Sequence, residues 1–137
     1  MPTPSCTFCT IVEQPANALI VHEDARTIAF LSRHPEVDGH TLLVPKPHHA
    51  DIFSIPEDLL AALMTSCKRL ALHWREHVGA AGVNILHASG AAAEQSIFHF
   101  HVHLFPRFPN DGLHAWPSLP RPTRTREDMH AAFRLER

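Results

Sequence analysis

Phe98-His-Phe-His-Val-His-Leu-Phe-Pro106 decides how the rest of the chain reads. Side chains alternate across an extended strand, so His99, His101 and His103 fall on one side. Phe98, Phe100, Val102 and Leu104 fall on the other, where they can pack on a core. Three half-polar rings in a row are a poor choice for burial alone. Aligned along a strand, they can orient, attack and protonate a substrate. Chance polar residues on a wet face fit poorly with an alternation this regular.

Successive histidines on one strand face have Cα atoms roughly 6.7 Å apart, and the outer two about 13 Å. One metal cannot readily take all three, although two neighbours could share one. The other arrangement is a division of labour, with His101 in the middle as nucleophile. A neutral imidazole attacks phosphorus when one nitrogen presents its lone pair and an acceptor holds the other N–H. His99 and His103 can then steady the phosphoryl oxygens. Gln95 and Ser96, just before the strand, add donors where a phosphate would lie.

Working outward, residues 18–23 and 27–32 read as a hairpin around Asp24-Ala-Arg26. Asp38-Gly-His40 is a turn, and Thr41–Val44 is a third strand stopped by Pro45 and Pro47. Ser54-Ile-Pro-Glu57 has capping-box spacing and opens a helix that runs to about His77. Leu60, Leu63, Cys67, Leu70 and Trp74 form its apolar stripe, with Cys67 as a small buried hydrophobe. Gly79 and Gly82 end the helix. Residues 82–87 form a fourth strand, and Ala88–Gln95 a loop. From Pro109 prolines crowd the chain, and a helix over Arg126–Leu135 is expected to close it. Strands joined by short turns around one long helix predict an α+β domain on an antiparallel sheet.

The composition allows a single hydrophobic core. The chain has 137 residues, 45% apolar, with 12 basic and 14 acidic side chains. That balance gives no basic excess to hold a nucleic-acid polymer. No apolar run is long enough for a membrane span. The N-terminal stretch lacks the basic and apolar regions of a signal peptide, so a cytoplasmic location is expected. Three cysteines are too few for a disulfide scaffold. Cys6-x-x-Cys9 is half of a tetrahedral zinc site or a redox pair, and the order of elements does not suit a thioredoxin-like redox motif. Lys46-Pro-His48-His49 and His99 supply candidates for the missing zinc ligands.

Together these residues resemble the histidine triad (HIT) family of nucleotide hydrolases and transferases. Cys6-Thr-Phe-Cys9, Gly39-His-Thr-Leu-Leu-Val-Pro-Lys-Pro-His48 and Gln95-Ser-Ile-Phe-His-Phe-His-Val-His-Leu-Phe-Pro-Arg107 carry the likeness. It implies a five-stranded antiparallel sheet with one long central helix and a C-terminal tail. Residues 1–108 would be the HIT domain, and 109–137 a Pro-rich extension packed on it. The resemblance makes His101 the nucleophile towards a nucleoside α-phosphoryl group, flanked by His99 and His103, with His40 as a fourth histidine beside them among the substrate-binding residues. It implies a structural zinc on Cys6, Cys9, His48 and His99, with His49 as the spare. It also implies a homodimer and a purine nucleotide or nucleotide conjugate as substrate. Ser32 stands where the family usually has an aspartate for the ribose hydroxyls. Ala88 and Glu94 replace an asparagine and a small residue.

Three functions are weighed. The first is an enzyme cleaving phosphoramidates, acyl nucleotides or dinucleoside polyphosphates through nucleotidyl-His101. The second is a non-catalytic nucleotide-binding or scaffold protein. The third makes His99 and His101 ligands of a catalytic metal.

Overall fold

The computed structural model describes residues 5–135. The chain termini outside that range include the first four residues of the stretch read for a leader. Five strands make one antiparallel sheet: β1 (Ile20–Glu23), β2 (Thr27–Leu31), β3 (Thr41–Pro45), β4 (Gly82–Leu86) and β5 (Val102–Arg107). Their order across the sheet is β1-β2-β3-β5-β4. β2 and β3 read as nearly unbroken apolar runs because both their faces are covered, whereas edge strand β1 is mostly exposed.

One face carries the long helix α2 (Glu57–His77). Ala29, Leu43, Val102 and Leu104 of the sheet, with Phe100, meet Leu59, Leu63, Cys67, Leu70 and Trp74 of the helix there. Leu59 stands in that core, whereas Leu60, expected on the stripe, is only half-buried against it. The capping box does not form. Pro56 is the N-cap and offers no side-chain bond, while Ser54 turns its hydroxyl to the Asp51 carbonyl at 3.3 Å. Glu57 and Asp58 in the first turn still suit the positive end of the helix dipole. Gly79, at φ +84°, stops the helix as its sequence position suggests. Burial pushes the Cys67 thiol up to about 11, so it stays protonated within the core.

The other face carries a short helix that the sequence reading missed, α1 (Thr7–Glu13). Phe8 and Ile11 pack on Ile28, Phe30, Leu42 and Val44. At seven residues its periodicity is too brief to announce a helix. Its N-cap is Cys6, whose thiol accepts from the Cys9 N–H at 3.3 Å.

A third helix, α3 (Arg126–Phe133), has no buried residue and ends before Leu135. The extension is held where Arg107 clasps Asp111 through two bonds of 2.9 Å. Farther on, Trp116, Leu119 and Phe133 are exposed.

A polar knot joins α2 to the β1–β2 turn. Asp24 accepts from the backbone N–H groups of Arg26 (2.9 Å) and Thr27 (2.8 Å), and the buried hydroxyls of Thr27 and Ser66 pair at 2.9 Å beside it. Burial alone would raise the Asp24 pKa, but these backbone bonds, with His22 and the Thr27 hydroxyl, hold it at about 2. A folded pKa below the ordinary 3.8 means that the carboxylate stabilises the fold above about pH 4. That contribution fades as the pH falls towards 2. Asp24→Asn should therefore lower stability by about 1 kcal/mol at pH 6, with the gap to the parent closing near pH 2.5 in urea titrations. A gap independent of pH would rule out the carboxylate as its source.

Candidate active site

Sheet register brings Phe30, Leu42 and His103 into one row across β2, β3 and β5. Gly39 makes the crossing into β3 possible. Its φ is +80°, and a Cβ there would lie 2.8 Å from the Pro106 ring.

The histidine run is less regular than the sequence suggests. Only His103 lies on a paired strand, because β5 starts at Val102. The preceding segment is bent, and its Phe100 N–H donates to the His49 carbonyl at 2.6 Å instead of extending the ladder. Phe98 is consequently 47% exposed and does not join the core. The facing of the other residues holds. Phe100, Val102 and Leu104 meet α2, while His99 and His101 lie against Phe8 on the α1 side and His103 stands in register with Leu42.

Hydrogen-bond partners assign each ring its tautomer. His101 donates Nδ1–H to the His99 carbonyl at 2.8 Å, leaving its Nε2 lone pair with no hydrogen bond among the described residues. His40 accepts the Glu36 N–H on Nδ1 at 3.1 Å, so its Nε2–H donates to His103 Nδ1 at 2.9 Å. Neutral His103 therefore carries its proton on Nε2. Burial, followed by the neighbouring His101 and His40, lowers the His103 pKa to about 4, which keeps that ring uncharged at neutral pH. Burial also lowers the His101 pKa. The ring centroids of His101 and His103 are 5.1 Å apart.

His99 is completely buried and points elsewhere. Its Nε2–H donates to the Pro45 carbonyl at 2.8 Å, which aims the Nδ1 lone pair at Cys6, Cys9 and His48. Burial, foremost among its causes, lowers the His99 pKa to about 4, so the ring is free to ligate. His99 Nδ1 lies 3.4 Å from Cys6 Sγ, 3.5 Å from Cys9 Sγ and 3.2 Å from His48 Nδ1. Cys9 Sγ lies 3.3 Å from His48 Nδ1. A tetrahedral zinc with two sulfurs at about 2.3 Å and two nitrogens near 2.0 Å needs ligand separations of about 3.3–3.8 Å. The donor set and these four separations fit such an ion, and all four donor atoms lie within 4.8 Å of one another. His49 lies outside this group.

Two residues expected to touch substrate are otherwise engaged. The buried Gln95 gives both amide hydrogens to the carbonyls of Ala50 (2.7 Å) and Ile97 (2.9 Å), and its oxygen takes the Gly90 N–H at 2.7 Å. It braces the loop and has no donor left for a phosphate. His40 likewise has both nitrogens occupied, by the Glu36 N–H and by His103. Ser96 is exposed and lines neither of the clefts beside the imidazoles, and Ser32 stands half-buried on a cleft wall.

The sequence reading missed His87, which donates Nδ1–H to the His101 carbonyl at 2.8 Å and stacks on Phe100 at 4.3 Å. No spacing in the sequence announces that contact, because its acceptor is a backbone carbonyl. Two clefts flank the imidazoles. One of about 500 Å³ is lined by Phe8, Phe30, Leu42 and Ser32. The other, about 430 Å³, is lined by His103, Phe105 and His114.

A family model described as the HIT domain matches residues 13–110. The chain belongs to the histidine triad family. An uncharacterized HIT-like protein of Saccharolobus solfataricus is 34% identical over 122 residues, covering 89% of this HIT protein and 88% of the relative. The crystal structure of a zinc-bound histidine triad family protein from Mycobacterium smegmatis matches with a TM-score of 0.76 at 36% identity, covering 85% of each chain. An adenylylsulfatase of Arabidopsis thaliana is 34% identical over 116 residues, covering 85% of this HIT protein and 59% of the relative.

Proposed function

We propose that this HIT protein is a nucleotide hydrolase or transferase acting at the nucleoside α-phosphorus of phosphoramidates, acyl nucleotides or dinucleoside polyphosphates. The observation that carries this reading is His101, whose Nδ1–H is held by the His99 carbonyl at 2.8 Å while Nε2 stays open beside His103. A nucleotide lying along the Phe30–Leu42–His103 row would span about 10 Å, two strand spacings, with its α-phosphate at the imidazoles. Nε2 attacks phosphorus and the P–N bond forms as the bond to the leaving group breaks. The leaving group departs with the electron pair. A leaving amine takes its proton from water. The nucleotidyl ring then carries Nδ1–H and a positive charge, which makes it a good leaving group in turn. Water attacks the same phosphorus, neutral His101 departs, and the nucleoside monophosphate and a proton are released. Throughout, His103 Nε2–H donates to a non-bridging oxygen, and His40 keeps that proton on the correct nitrogen. The relative named an adenylylsulfatase is in keeping with cleavage at an adenylyl phosphorus.

Zinc on Cys6, Cys9, His48 and His99 belongs to the same proposal as a structural ion that would pin α1 to the active segment. A homodimer, a cytoplasmic location, a purine preference, and a catalytic domain at 1–108 with an extension over 109–137 also belong to it. Brief incubation with an adenylylated substrate, followed by mass spectrometry, should find one added adenylyl group on His101. Tight AMP binding without turnover across a substrate panel would overturn the enzyme reading and leave a nucleotide-binding protein.

A further inference from the structure

The cleft of about 500 Å³ has an apolar floor and a cationic mouth. Phe8, Ile11, Phe30, Leu42 and Ile97 form the floor, and Ser32, Arg33 and His34 stand at the mouth. Among the described residues, no aspartate or glutamate lines it. Ser32 donates its backbone N–H to the His40 carbonyl at 2.9 Å, and its hydroxyl oxygen accepts the His34 N–H at 3.3 Å. That tight turn leaves the hydroxyl hydrogen of Ser32 available. Arg33 is exposed and makes no hydrogen bond or ion pair among the described residues.

A free ribose diol presents two hydroxyl hydrogens and is best met by acceptors. Beside the neutral Thr7 and Asn17, this cleft instead offers a hydroxyl, a guanidinium and an imidazole, with no carboxylate among the described residues to receive a diol. Such a donor-rich, positively charged rim is complementary to a phosphomonoester, and the planar fork of arginine matches phosphate oxygens two at a time. Ser32 continues beyond β2, and two strand spacings, about 10 Å, separate β2 from β5. The rim and the imidazoles therefore address two different phosphates. We infer that this site selects nucleotides carrying a second phosphate as a monoester on a ribose hydroxyl, 2′ or 3′, held by Arg33 with Ser32 and His34. The inference rests on the reading that a nucleotide occupies the cleft.

Calorimetric titration of the full zinc-loaded chain with AMP, adenosine 2′,5′-bisphosphate and adenosine 3′,5′-bisphosphate tests it. One bisphosphate should bind at least about tenfold more tightly than AMP, with the ratio shrinking as salt is raised. The ratio should fall to within about threefold of unity in Arg33→Ala and invert in Arg33→Glu. AMP binding as tightly as both bisphosphates overturns the inference alone. So does an Arg33→Ala variant that weakens all three ligands by one factor, since Arg33 would then serve the α-phosphate. If none of the three binds, the nucleotide reading of the cleft falls, and this inference with it.

Discussion

Replacing His101 with alanine should lower turnover of an adenosine phosphoramidate by at least about 10³-fold, because no other side chain presents an open imidazole lone pair at the same point. The neighbouring rings have no lone pair to spare: His103 gives its Nδ1 lone pair to His40 and carries its proton on Nε2. His40 serves Glu36 and His103, and His99 serves Pro45 and the cysteine cluster. Neither ring can turn to replace the lost nucleophile without breaking buried hydrogen bonds. The variant should keep its fold and any bound zinc, since His101 is not among the four clustered ligands. His103→Ala should cost less, about 10²-fold, because it removes one donor to the phosphoryl oxygens and leaves the attacking atom in place. Single-turnover kinetics with the phosphoramidate would separate the two. Parent-like rates in the His101 variant would end the nucleophile assignment.

Cys9→Ala should release about one zinc per chain and lower the melting temperature by roughly 10 °C, the shift expected for a loss of about 3 kcal/mol in a domain of this size. The physical reason is the position of α1. Its Cys6 and Cys9 are the link from this short helix to His48 beyond β3 and to His99 before β5. Without the ion, two imidazole nitrogens 3.2 Å apart would face each other with no shared cation. Phe8 sits on the same helix, between the cleft floor and the rings of His99 and His101. Nucleotide affinity should therefore fall with the metal, although among the described residues no cysteine lines either cleft. Elemental analysis and thermal melts of Cys6→Ala, Cys9→Ala and His101→Ala decide the matter. Metal kept by the cysteine variants and lost by the His101 variant would move the ion to the triad and make it catalytic.

The irregular segment before β5 shows where pattern reading stopped. Alternation correctly separated the imidazoles of residues 99–103 from the apolar side chains between them, because backbone geometry sends successive side chains to opposite faces. It said nothing about where pairing starts. That depends on which backbone lies opposite, and here Phe100 meets His49 instead of a strand partner. Leu59 displaced Leu60 for a similar reason. A helical stripe is legible to within one position, but the exact packing angle of α2 on the sheet selects the buried member. Gln95 was legible as a polar residue just before the histidine run and illegible as a brace, since all three of its partners are backbone atoms.

Residue types and their spacing by themselves determined the five-stranded sheet with its helix, the grouping of three histidines, and the half-site of two cysteines three positions apart. Each is a local property, set by the period of a strand or a helix. Tertiary structure alone decided which nitrogen of each ring carries the proton and which rings stay neutral. Protonation follows from backbone carbonyls and N–H groups delivered by distant segments and from the loss of water around them. Neither quantity is encoded at the position of the residue that feels it.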